Sequence, residues 1–208
     1  MRKNRSGTSV VQSAFSIKSW QVRLPTVEEA RPARCPFCGA ASCPVGGSLQ
    51  LQGHGTRARQ VRGPGGPGEP AVTVEIVGRR YRCVACRGVI VVVPQGLLAR
   101  RLYSACAIGF ALAFWGLVQA TAAQVRRSVC PATILGHAAV RGWATLQRWA
   151  RDIARGRLFP GVPGPPDPSA TLRRVAASAA SALAASADPT TRALAIEHRA
   201  FLGAAHAA

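Results

Sequence analysis

The sequence predicts an α+β chain in which a small zinc-ribbon β-sheet domain is followed by an all-α, helix-turn-helix-like domain. Three observations carry that expectation. Two Cys-x-x-Cys pairs, Cys35-Pro36-Phe37-Cys38 and Cys83-Val84-Ala85-Cys86, stand 44 residues apart with strand-like sequence between them. After Pro94 the apolar residues change to helical spacing and keep it, prolines apart, to the end of the chain. The 208 residues also carry 27 Lys and Arg against 8 Asp and Glu, a formal net charge of +19.

Each cysteine pair has the spacing of a zinc knuckle. Two intervening residues let a tight turn aim both thiolates at one ion, and a following glycine, Gly39 or Gly88, is expected to take the φ > 0 conformation that closes the turn. Cys35, Cys38, Cys83 and Cys86 are therefore the expected ligands of one Zn2+. Cys43 and His54 compete for a ligand place, but neither belongs to a pair. Seven cysteines, four of them in metal-type pairs, suit a reducing compartment better than a disulfide framework, and Cys106 and Cys130 receive no role.

Between the pairs, Ser48-Leu49-Gln50-Leu51-Gln52 and Val72-Thr73-Val74-Glu75-Ile76 alternate apolar and polar, the second running on through Arg79-Arg80-Tyr81-Arg82. Gly63 to Pro70, in which every residue but Glu69 is Gly or Pro, reads as a long hairpin tip. Val89-Ile90-Val91-Val92-Val93, stopped by Pro94, is a third strand, and Trp20 to Pro25 reads as a short strand leading in. The domain plan is a flexible basic N-terminus over 1–19, the ribbon over 20–96, the helix-turn-helix-like domain over 97–159, a Pro/Gly linker over 160–168 and an Ala-rich helical hairpin over 169–208.

The helical part begins at Ser104, a suitable N-cap, and the pattern predicts one helix to about Val125. Its unbroken apolar run, Ala105 to Val118, is shorter than the ~20 residues of a membrane span, and Arg100-Arg101 and Arg126-Arg127 flank it symmetrically. A central buried helix is expected, with Phe110, Phe114 and Trp115 against a stripe of Trp143, Leu146 and Trp149. Pro131 opens a short predicted helix to about Val140, Gly142 makes a break, and the helix from Trp143 carries Arg148, Arg151 and Arg155 on one face. Helix, glycine turn and Arg-faced helix form a helix-turn-helix pattern. Two Ala-rich helices follow at about 169–187 and 190–206, with Asp188 as N-cap and Pro189 at N1 of the second.

The charge points to a polyanionic partner. Lys3 and Lys18 are the only lysines, so 25 of the 27 basic residues are arginine, whose planar fork matches phosphate oxygens and the guanine edge. Double-stranded DNA is the expected partner, with Arg57, Arg59, Arg79 and Arg80 of the ribbon on phosphates and Arg148, Arg151 and Arg155 presented from a helix. The eight acids form no spaced carboxylate set for two metal ions. No Gly-rich phosphate loop or nucleophile constellation is present either. The chain is thus read as a binding protein, not an enzyme, with no small-molecule substrate. Met1 to Arg5 is basic, yet no apolar segment follows, so secretion is not expected and a cytoplasmic, nucleoid-associated place is.

The segments CPFCG, His54-Gly55, GRRYRC at 78–83, VACRG at 84–88 and RRLYSACAIGFALAFWG at 100–116 together resemble the amino-terminal region of bacterial insertion-sequence transposases and of short transposase-like proteins. The likeness covers about residues 30–155. In that family the zinc ribbon and helix-turn-helix recognise terminal inverted repeats, and a separate acidic-triad domain cuts the strands. The resemblance implies zinc ligation by Cys35, Cys38, Cys83 and Cys86 and DNA contact by the basic helix around Arg148. It does not transfer catalysis, since the catalytic domain has no counterpart here. It implies a transposon-associated accessory or regulatory protein, or a remnant, with a transposase or a second copy of itself as protein partner. Two other readings stand beside it: a structural zinc ribbon binding RNA or a protein, and a single-span membrane-anchored protein.

Overall fold

A computed structural model describes residues 8–133, 135–137, 143–164, 167 and 169–208. Among these residues the chain is mixed α+β, with one four-stranded sheet and six α-helices. It divides into two compact units, one of residues 1–60 and 75–99, the other of residues 61–74 and 100–208. Residues 61–74, the outer part of the expected ribbon hairpin, thus group with the helices.

The sheet consists of β1 (Thr8–Gln12), β2 (Leu51–Pro64), β3 (Ala71–Cys83) and β4 (Val89–Val93) in the order β1-β4-β3-β2. β4 is a continuous β-branched run with Ile90 to Val93 buried, as an inner strand requires. β3 pairs with it antiparallel, Tyr81 opposite Ile90, and β1 pairs with it parallel, Thr8 opposite Val89 through Gln12 opposite Val93. The 1–19 stretch, read as a flexible arm, therefore contains a strand. Its Val10-Val11 centre is too short to show a period of two, but it supplies the partner that the free edge of β4 needs. Residues 1–7 of that arm lie outside the described residues.

The lead-in segment also departs from expectation. Trp20 sits not in a strand but in α1 (Ile17–Val22), whose N-cap Ser16 accepts a hydrogen bond from the Ser19 amide at 3.1 Å. One helical turn lets Trp20 bury its ring beside Phe15 and donate its indole N–H to the Val77 carbonyl at 2.9 Å, which an extended chain ending at Pro25 would not allow.

In the second unit the expected single helix over 104–125 is two. α2 (Ala105–Gly116) starts at Ser104, whose hydroxyl accepts from the Ala107 amide, and α3 (Ala122–Val129) starts at Thr121. Thr121 and Gln124 form a reciprocal capping box, and Gln119 takes φ of 63° between the helices, so a strong internal start signal overrides the apolar run. The helix expected over 131–140 falls partly outside the described residues, and Pro131 to Thr133 is not helical. α4 (Ala144–Ala154) and α5 (Leu172–Ala185) follow. Asp188 caps as expected, but the helix it starts is a short 3-10 turn, Pro189–Ala193, before α6 (Ile196–His206).

α2 packs against α3, α4, α5 and α6 and is buried on nearly every side. Small residues make this possible. A Cβ on Gly109 would lie 2.6 Å from the Ala200 carbonyl oxygen of α6, one on Gly116 would strike the Ala177 backbone of α5, and one on Gly203 would strike the Leu183 carbonyl. The Trp143/Trp149 pair closes on Tyr103, with centroids 5.8 and 5.2 Å away, while Phe110 stacks on His198. The tryptophan stripe thus finds its ring partner in Tyr103, two residues before α2, not in the phenylalanines within it. No described helix is long and apolar enough to cross a membrane.

Gly203→Ala tests this packing. Alanine is ordinarily favoured in a helix by about 1 kcal/mol, so a loss of about 1–3 kcal/mol in urea unfolding would report the clash with Leu183. Gly161→Ala, where a Cβ meets nothing within 4 Å, is the control and should stay within about 0.5 kcal/mol.

Candidate metal centre

The first knuckle is a tight hairpin. The Gly39 amide donates to the Cys35 carbonyl at 2.9 Å, the Cys35 amide to the Ala40 carbonyl at 2.9 Å, and Arg34 bridges Ala41 antiparallel. Gly39 takes φ of 73°, as the turn requires. The second knuckle follows the end of β3 and repeats the pattern: the Arg87 amide donates to the Cys83 carbonyl and the Cys83 amide to the Gly88 carbonyl. Here the left-handed residue is Arg87, at φ 62°, and not Gly88. Gly88 is needed for space instead, because a Cβ there would lie 2.5 Å from Cδ2 of Phe37. The ring of one knuckle thus rests on the backbone of the other.

These two turns bring the four sulfurs within 4.8 Å of one another. Cys35 Sγ lies 3.7 Å from Cys86 Sγ, and Cys38 Sγ lies 3.7 Å from Cys83 Sγ. A disulfide would bring a pair to ~2.05 Å. Four sulfurs each ~2.3 Å from one ion at tetrahedral angles are ~3.8 Å apart, and the observed spacing fits that arrangement. A compact tetrahedral sulfur set suits zinc or a single iron. Cys35 and Cys83 are buried, Cys86 is half-buried and Cys38 is exposed, so the centre lies at the surface with two ligands inside. Cys43 and His54 are both exposed and stand outside the cluster.

Burial raises the Cys35 thiol above its ordinary range and pushes Cys86 up to about 12. Burial also acts to raise Cys83, but the Cys86 amide and the neighbouring thiols hold its thiolate and bring it down overall. The cluster without an ion therefore keeps protons that a cation must displace.

The expected DNA-contacting arginines have varied surroundings. Arg57 is exposed on β2. Arg59 is half-buried and donates to the Leu98 carbonyl at 3.2 Å, and burial together with Arg57 lowers its pKa. Arg79 donates Nε–H to the Pro25 carbonyl at 2.8 Å, which makes it a clasp on the lead-in segment, and Arg80 is half-buried on the other face of β3. Arg148, Arg151 and Arg155 are all exposed, on and just after α4, while Leu146, Trp149, Ala150 and Ile153 bury the opposite side. Phe37 and Arg87 went unnoticed in the sequence. A lone aromatic inside a knuckle is the signal that would have marked Phe37.

The full chain should bind one equivalent of Co2+ with the spectrum of tetrahedral thiolate coordination. Because protonated thiols compete with the ion, affinity should fall steeply as pH is lowered from about 8 to 6. Cys83→Ser/Cys86→Ser should abolish the signal, and a pH-independent affinity would contradict four-thiolate ligation. Comparison of the chain with protein-family models, with curated proteins and with solved structures finds no match, so the chemistry of this centre is read from its own residues.

Proposed function

We propose that the chain is a zinc-dependent, double-strand DNA-binding protein of transposase kinship, acting without catalysis of its own as an accessory or regulatory factor of a mobile element. Zinc is the ion favoured for a four-thiolate site whose role is to hold a small fold together, since it imposes no geometry of its own and undergoes no redox change. The observation that carries the DNA reading is α4: one face is buried through Leu146, Trp149, Ala150 and Ile153, and the opposite face presents Arg148, Arg151 and Arg155. A helix anchored in this way holds its arginines in fixed relation to one another, as reading of base edges requires.

The rest of the charge supports the same reading. With 27 basic residues and 8 acids, the chain neutralises phosphates wherever its exposed arginines reach them. Arg57 and Arg80 are suited to positioning on the backbone, and α4 is suited to the major groove. The helix-turn-helix arrangement, a place on the nucleoid and a transposase or a second copy as protein partner belong to this proposal.

Binding should be measured by fluorescence anisotropy against a selected site and against random duplex, at several salt concentrations. The expected slope of log K against log salt is about −0.9 per phosphate neutralised. Replacing one α4 arginine that forks onto guanine should cost about 1–3 kcal/mol on the preferred site and much less on random DNA, whereas Arg57→Ala should weaken both alike. Equal losses on both DNAs from Arg148→Ala would reduce α4 to a phosphate-contacting face. Tighter binding to single-stranded RNA than to duplex would replace the proposal with the RNA-binding reading.

A further inference from the structure

A cleft of about 730 Å³ lies within the helical unit, between the Gly/Pro-rich loop that joins β2 to β3 and the end of α3. Its size falls in the ~300–1,000 Å³ range of small-ligand sites. The cleft exists for a reason legible in the residues: the loop wall is built from Gly66, Gly68 and flanking prolines, which carry no side chain long enough to fill the space. The opposite wall carries Arg126 and Arg127, from the last turn of α3, and Thr133. Phe110 of α2 supplies an apolar floor and is held in place by its stack on His198, with centroids 5.9 Å apart.

The charges in this cleft are unequal. The lining holds two arginines and one acid, Glu69, whose carboxylate folds back over its own loop so that a Cβ on Gly65 would lie 2.8 Å from Oε2. Two forked donors, a hydroxyl and an aromatic floor form a site for an oxyanion attached to an organic body. A dianion matches two arginines better than a carboxylate does, and the trigonal oxygens of a phosphomonoester allow each guanidinium its own bidentate contact.

We propose that this cleft binds a phosphomonoester, with the phosphate on Arg126 and Arg127 and the organic part toward Phe110. Glu69, on the loop wall, is the like charge that the ligand anion meets. The site is separate from the α4 arginines and does not depend on their reading DNA. The same chemistry is offered by a free nucleotide and by the 5′-phosphorylated end of a nucleic-acid strand.

The test is isothermal titration of the metal-loaded full chain with adenosine monophosphate, inorganic phosphate and benzoate, and with short oligonucleotides carrying a 5′-phosphate or a 5′-hydroxyl. Saturable binding of adenosine monophosphate is expected. Arg127→Ala, at an exposed position where the fold is not at risk, should weaken it about tenfold or more, the loss of one charge-assisted pair. Glu69→Gln should strengthen it about two- to fivefold by removing a like charge. Arg192→Ala, at an exposed arginine outside both the cleft lining and α4, should leave it unchanged. A 5′-phosphate that tightens oligonucleotide binding, with the gain lost in Arg127→Ala, assigns the strand end as source. Equal binding of the two oligonucleotides beside tight nucleotide binding assigns the free nucleotide. Absence of saturable binding, equal loss in Arg127→Ala and Arg192→Ala, or benzoate binding as tightly as the nucleotide would overturn the proposal. A failure of DNA binding by α4 would leave these results untouched.

Discussion

The sheet-bearing unit depends on the convergence of Cys35 and Cys38 with Cys83 and Cys86. The segment from Leu24 to Gln50 contains no helix or strand, only turns and the single Arg34–Ala41 bridge, and so has no ladder of its own. It is held by a few directed contacts: Tyr81 donates to the Val27 carbonyl at 2.6 Å, Arg79 clasps the Pro25 carbonyl, and the Val84 amide reaches the Gln50 carbonyl. An ion gripped by both knuckles closes a loop of some fifty residues. On the chain-entropy reasoning used for covalent cross-links, closing such a loop removes about 4 kcal/mol of unfolded-state freedom. Phe37 over Gly88 gives the same junction a dry contact. The fold of this unit and its ion are in that sense one problem.

The helical unit solves a different problem, how to bury helices poor in large side chains. Its answer is close approach of backbones at Gly109, Gly116 and Gly203, which brings many weak dispersion contacts into range. In α2 the two glycines, Gly109 and Gly116, meet neighbouring backbone, which lets the helix be buried on nearly every side. The sequence marked α2 as a central helix through its apolar run and Ser104. It concealed the break at Gln119, because the apolar signal continues through Leu117-Val118 and only the Thr121/Gln124 box marks a new start. Which rings meet was also hidden, since Tyr103 precedes the helix and belongs to no periodic stripe.

For the metal centre, legibility follows the locality of the cause. Spacing within each knuckle is a local property, and it identified all four sulfurs. The role of Gly88 is not legible from its knuckle alone, because its constraint comes from Phe37, some fifty residues earlier. Arginine was the least legible residue. Charge can be counted from composition, but whether a guanidinium faces solvent or holds a carbonyl depends on tertiary neighbours. Arg79 clasps Pro25, Arg101 pairs with Asp152 at 2.6 Å, and Arg173 lies over Trp115 while donating to Gln119 and Ala120. Of the arginines expected at DNA, Arg57, Arg148, Arg151 and Arg155 are the exposed ones.

The thiolate centre and the cationic surface also bear on each other. Four thiolates around a divalent ion carry a net charge of about −2, and such a group placed at a surface favours nearby cations. Arg34, Arg82 and Arg87 are adjacent to the ligands in sequence, and Arg34 donates to the Gly39 carbonyl within the first knuckle at 3.3 Å. A chain with so few acids strains against its own repulsion at low salt. Loading the ion then offsets part of that repulsion at the same time as it closes the loop. Its benefit is greatest where the chain is most basic, so a thiolate-only ligand set suits this protein better than one with neutral histidines. Cys38 is the one exposed cysteine of the four, so the centre meets solvent there.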